Sequence, residues 1–231
     1  MHVHRSQYSA GHNIAGRHIA GLLLLAALAV PAAGTAQTAD ATMQDAAAAD
    51  TVVADPSNTR GLFLNLRAGG YGIGFDDDRD GDGTGGGVRI GWGLSDRVTL
   101  FGGIEGATIS NGDGFEGLPE GDDYGLLYLD LGARVHFRND ARLVPFLEGG
   151  FSVVGLWFDD TQDREATYGG ATATLGGGLL WYVSPRFALE TSALFSPGAL
   201  MEGEIDNVKQ DVDLPMAGVR LQIGLSLYPK G

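Results

Sequence analysis

The sequence predicts an all-β protein, an eight-stranded antiparallel up-and-down transmembrane β-barrel. Three observations predict it. Apolar residues alternate with period two from residue 61 to residue 228. The connections between these segments alternate in length: 76–86, 110–123, 158–167 and 197–213 are long, whereas Ser95–Arg97, Asn139–Arg142 and Ser184–Arg186 are short. One face of each alternating segment is aliphatic and carries no charge, which would be insoluble unless it met lipid. A soluble barrel also alternates, but it points its apolar face inward and leaves charge outside.

The elements follow in order. Residues 1–36 read as a secretory signal peptide: Arg5 and Arg17 precede the apolar run Ile19–Val30, and small residues lead to Ala36. A membrane anchor is the alternative, but the run falls short of the roughly 20 apolar residues of a spanning helix. Residues 37–60, rich in Ala, Asp and Thr, read as a flexible periplasmic leader, with a short Ala-rich helix as the other reading. The barrel then occupies 61–228.

Its first strand sets Leu62, Leu64, Leu66 and Ala68 against Phe63, Asn65, Arg67 and Gly69. The second sets Val88, Ile90, Trp92 and Leu94 against Arg89, Gly91 and Gly93, and the third Val98, Leu100 and Ile104 against Thr99, Phe101 and Glu105. The fourth is the clearest: Leu127, Leu129, Leu131, Ala133, Val135 and Phe137 oppose Tyr128, Asp130, Gly132, Arg134, His136 and Arg138. Glycine blurs the fifth, Leu143–Trp157, and the sixth, Tyr168–Val183. The seventh sets Phe187, Leu189, Thr191, Ala193 and Phe195 against Ala188, Glu190, Ser192 and Leu194. The eighth sets Val219, Leu221, Ile223, Leu225 and Leu227 against Arg220, Gln222, Gly224 and Ser226. Tyr71, Trp92, Phe137, Trp157, Trp181, Phe187 and Tyr228, near strand ends, fit aromatic girdles.

Charge narrows the function classes. Without Arg5 and Arg17 the chain has 29 acids against 13 of its 15 Lys and Arg, which disfavours nucleic acid as a partner. The absence of Cys excludes disulfides, thiolate metal sites and a lipid-anchored cysteine. Nineteen of the 29 acids fall in the four long connections, so the outer rim should be strongly negative. Within the first, Asp78, Asp80 and Asp82 followed by Gly83 match the start of an EF-hand-type loop, but Arg89 stands where the closing Glu would be. Two readings stay open: a loose Ca²⁺ or Mg²⁺ site, and a solvated, self-repelling loop. No tightly held cofactor is expected.

On the inward positions, Arg67, Arg89, Arg134 and Arg220 balance Glu105, Asp130, Glu148 and Glu190. A narrow lumen filled by side chains tolerates charge only when it is paired. The expected arrangement is a salt-bridged plug, with a gated pore or proton path as the alternative. Catalysis of lipid A modification would need a His at the outer rim, yet the single histidine after residue 36, His136, sits near a short turn. No catalytic residue is assigned.

These segments resemble the OmpA/OmpX-like outer-membrane β-barrels of Gram-negative bacteria. The likeness rests on Gly87-Val-Arg-Ile-Gly-Trp-Gly-Leu, the turn Val183-Ser-Pro-Arg-Phe and the terminal strand Val219-Arg-Leu-Gln-Ile-Gly-Leu-Ser-Leu-Tyr. It implies a monomer in the bacterial outer membrane, both termini periplasmic, with lipid, lipopolysaccharide and the barrel-assembly machinery as partners. It also implies a terminal aromatic in register with the apolar face, whereas Tyr228 is out of that register. The expected role is structural or surface-interacting and non-enzymatic. A narrow pore or lipid-handling barrel is the alternative, and a lipid A-modifying enzyme comes third.

Overall fold

The computed structural model describes residues 59–76, 80–111, 123–137, 141–159, 165–205 and 208–229. The expected signal peptide and nearly all of the leader lie outside them. Eight strands follow one another: β1 (Gly61–Phe75), β2 (Asp80–Gly93), β3 (Val98–Asn111), β4 (Tyr124–His136), β5 (Leu143–Asp159), β6 (Glu165–Ser184), β7 (Phe187–Ile205) and β8 (Val208–Leu227). Each pairs antiparallel with its neighbours, and β1 pairs with β8 to close the barrel. Closure satisfies every strand edge within the bilayer, where no water could do so.

The lipid-facing side is apolar, as the alternation predicts. Leu66, Ile90, Leu131, Phe151, Leu175 and Ile223 are all exposed, Phe151 at 76%. Trp92, Phe137, Trp181 and Phe187 form an exposed aromatic band near the short turns, and Trp157 stands at the other end. Tyr71 and Tyr228 do not join these girdles. Both are buried inside the barrel, because their positions share the parity of the inward residues.

Three of the long connections are shorter than expected, 158–167 because β5 runs to Asp159 and β6 begins at Glu165. β2 begins at Asp80, so much of 76–86 is strand, and 197–213 is nearly all ladder, with Ile205 paired to Val208. Crossing a bilayer takes about 9–11 residues, whereas β6, β7 and β8 have 20, 19 and 20. The surplus stands above the membrane as paired strand, since antiparallel bonding needs no lipid. Pro197, expected to end β7, instead lies within it opposite Ala217. Its missing N–H is felt on the other side: pairing with β6 is interrupted between Thr172–Gly198 and Leu175–Phe195, with the same register on either side of the gap. A hydrogen bond between the Thr174 and Ser196 hydroxyls, 2.9 Å long, spans that gap.

Glycine matters most where the barrel wall must be thin. Gly125 on β4 faces Trp157 on β5, and a Cβ there would lie 1.9 Å from the indole Cε2. The ring covers the glycine, an arrangement that protects backbone in sheets. Replacing Gly125 with Val should eject Trp157 and cost about 1–3 kcal/mol by overpacking. The check is a lower urea midpoint together with altered tryptophan emission.

Candidate functional site: the ionic lumen

Inward-facing positions stack in three layers. At the end with the short turns, Phe63, Val144, Phe146, Leu180, Tyr182 and Tyr228 form an aromatic floor. Phe63 and Tyr228 stack with centroids 5.7 Å apart. At the opposite end Ile73, Phe75, Ile109, Tyr124, Leu126, Leu156, Leu200 and Met216 pack into an apolar cap. The charged residues lie between the two.

All eight expected charged residues meet in this middle layer, and each is buried. They come from every strand except β6. Arg134 bridges Glu148 (Nη2–Oε2, 2.7 Å) and Glu190, which it grips with Nη1 and Nη2 at 2.9 and 2.8 Å. Glu190 also accepts from Arg67 Nη2 at 2.7 Å, and Glu148 accepts from Arg89 Nη1 at 2.5 Å. Arg89 Nη2 reaches Asp130 at 2.9 Å and Glu105 at 3.1 Å. Arg220 Nη1 donates to the same two carboxylates at 3.0 and 2.9 Å. A longer contact, Arg67 to Glu105 at 3.4 Å, closes the circuit.

Four positive and four negative groups thus form one neutral ring in which every arginine touches at least two carboxylates. Arginine suits this geometry because its planar fork offers donors in several directions and stays ionised. Aromatic faces cover guanidinium planes: Arg134 lies 3.8 Å from the Phe146 centroid, Arg220 4.3 Å from Tyr128 and Arg89 4.6 Å from Phe101.

Neutral polar residues join the network without having been singled out from the sequence. Asn65 accepts from Arg67 Nε at 2.7 Å, and Gln222 accepts from its Nη1 at 2.8 Å. Gln222 in turn donates to Glu105 at 2.8 Å and to Tyr71 at 2.9 Å. Ser152 donates to Asp130 at 2.5 Å, and Ser226 to Glu190 at 3.0 Å. β6 contributes Thr174, which accepts from Arg220 Nη2 at 3.2 Å. Their signal was position alone: Asn65, Gln222, Ser152 and Ser226 share the inward parity of charged residues on their own strands, whereas Thr174 lies on β6, which contributes no charge to the ring.

The other candidates are placed differently. His136 ends β4 on the lumen side, 1% exposed, its ring edge-on to Phe146 at 6.4 Å. Asp78 lies outside the described residues. Asp80 and Asp82 are exposed in β2, and Gly83 is not at a turn. It sits in the ladder opposite Tyr71, where a Cβ would strike the Thr108 carbonyl at 1.9 Å. Close approach of backbone, not a calcium-loop bend, accounts for this glycine. Among the described residues no three metal-ligating side chains converge.

Comparison with solved structures matches this architecture. Neisserial surface protein A superposes with a TM-score of 0.56 at 13% identity, over 72% of this chain and 96% of that one. Outer membrane protein AlkL, solved by solid-state NMR in lipid bilayers, gives 0.50 at 13% identity, over 84% and 98%. The fold is that of the small OmpA/OmpX-like outer-membrane β-barrels. No protein-family model matches the chain, and no curated relative matches its sequence. With its apolar outer wall the barrel resides in the bacterial outer membrane. Its short turns are periplasmic and its extended strands face outward, as the fold requires.

Breaking one member of a buried ionic ring strands its partners. Arg134→Met should therefore lower stability by about 3–5 kcal/mol, read as a lower urea midpoint of the barrel folded in detergent. Leu131→Ala on the lipid face, as a control, should have a much smaller effect.

Proposed function

We propose that this barrel is a non-conducting, non-enzymatic surface protein that acts through its extracellular strands. The observation that carries this reading is a sheet edge that no described strand pairs. Pairing of β8 with β1 ends at Met216–Phe75, with one further bond from Asp76 N–H to the Pro215 carbonyl (3.3 Å). From Val208 to Leu214, no described strand pairs with this side of β8. The four residues Val208–Asp211 are all exposed, Val208 at 67%, so both sheet faces here meet water.

Such an edge is a template for an added strand. Strand groups alternate sides, and Pro215 bonds toward β1, so the N–H groups of Lys209, Asp211 and Asp213 point outward from the edge. Glu202, Glu204, Asp211 and Asp213 against Lys209 make this hairpin acidic. The partner it fits is an extended, cationic segment. Divalent cations binding the same acids, and through them lipopolysaccharide phosphates, belong to the same surface reading.

The lumen supports the non-conducting half of the proposal. An apolar cap, a neutral ionic ring and an aromatic floor fill it in succession. The buried periplasmic position of His136 supports the absence of acyl-transfer or hydrolytic chemistry at the outer rim.

Two measurements test the proposal. In planar bilayers the folded protein should show no unitary conductance, and regular open-channel steps would favour the pore reading. In nanodiscs, an alternating Lys–Val peptide should bind in a salt-sensitive way, and its Glu–Val counterpart should not. Asp211→Pro, which removes an outward N–H, should abolish binding, whereas Asp211→Asn should weaken it only severalfold. Equal binding by both variants would exclude strand addition.

A further inference from the structure

The lipid-facing wall is not uniform. A groove of about 740 Å³ crosses the periplasmic half of its outer surface, from Leu143 on β5 to Ala68 on β1. Leu179, Trp181, Leu189 and Leu225 form much of its walls, while Thr191 and Ala68 are small enough to leave it open. Leu143 pairs with Trp181, Trp181 with Leu189, Leu189 with Leu225, and Leu225 with Leu66. The groove therefore spans four interstrand steps of about 4.8 Å each. That is roughly 19 Å across the strands, and with strands tilted about 40° about 12 Å of it runs along the membrane normal, compared with a half-bilayer of about 15 Å.

Two arginines lie in the short turns beside it. Arg142 immediately precedes Leu143, and Arg186 lies three residues before Leu189 in the next short turn. Both arginines are exposed, and neither has a salt-bridge partner among the described residues. Trp181, 55% exposed at the same level, is placed as an interfacial anchor. Guanidinium groups at the headgroup level over an apolar channel of acyl-chain reach are complementary to one class of molecule.

We infer that this groove is a binding site for an anionic phospholipid of the inner leaflet, its phosphate held by Arg142 and Arg186 and one acyl chain lying between Trp181 and Ala68. The site is separate from the extracellular edge. It gives the periplasmic side of the barrel a preference among lipids that its plain apolar wall would lack.

Native mass spectrometry of the full chain, released from nanodiscs of equal palmitoyl-oleoyl phosphatidylglycerol and phosphatidylethanolamine, tests this. The expected result is one retained phospholipid per barrel, enriched at least fivefold in phosphatidylglycerol. The double variant R142Q/R186Q should lose the headgroup preference, and Ala68→Phe, which fills the groove, should lose the lipid itself. Leu129→Phe, on the lipid face of β4, should retain both. Each variant is first shown to be folded by its heat-dependent electrophoretic mobility. No retained lipid, or retention equal in Ala68→Phe and Leu129→Phe, would overturn the inference. So would a dimer that Ala68→Phe dissolves, since the occupant would then be a second copy.

Discussion

The buried ring of four arginines and four carboxylates is the constraint around which this barrel is organised. An isolated charge at the centre of a membrane would be prohibitive, and even a paired one is costly unless its remaining donors and acceptors are satisfied. Here the cost is offset by multiplicity, because each carboxylate serves at least two arginines and aromatic faces cover the guanidinium planes. Seven strands contribute charge and β6 contributes Thr174, so the ring also ties the whole circumference together. Misregistering one strand by a single residue would move its charge to the lipid side. The network therefore specifies the register as much as it adds stability.

What surrounds the ring determines what the barrel does. The apolar cap and the aromatic floor border the ionic layer at both ends, and this packing is what supports the proposal of a non-conducting barrel. On that proposal, recognition takes place on surfaces: the rim above the bilayer and the wall within it. The acids concentrate outside, while Arg142 and Arg186 mark the periplasmic side.

The two ends differ because the strands do. Strand lengths rise from 13 residues in β4 to 20 in β6 and β8. The tall hairpin of β7 and β8 meets the shorter β1 where the barrel closes, and the mismatch leaves one edge of β8 without a neighbour among the described residues. Lys209, Asp211 and Asp213 on that edge are also the residues that guard an open edge against indiscriminate pairing.

Much of this was legible without coordinates. Period-two alternation assigned Arg67, Glu105, Asp130 and their counterparts to the interior, because a side chain's face in a strand depends only on parity. The same rule failed where both faces are apolar. Val153-Val154 and Leu156-Trp157-Phe158 show no alternation, and so the hydrophobic cap formed by Leu156, Phe158, Ile73 and Leu200 could not be told from lipid-facing wall. Hydropathy likewise misread 197–213 as a loop, since paired strand above the membrane is as polar as a loop.

The sequence by itself determined the class of fold, the lipid-facing surface and the charge inventory of the lumen, all properties of local period and composition. Only the tertiary structure decided which charges meet, because Arg67 and Glu190 lie 123 positions apart and are joined by the closure of β1 onto β8. It alone decided the free edge and the lipid-side groove as well. Both arise from how far each strand is displaced against its neighbours, and that displacement is a property of the closed ring that no single segment contains.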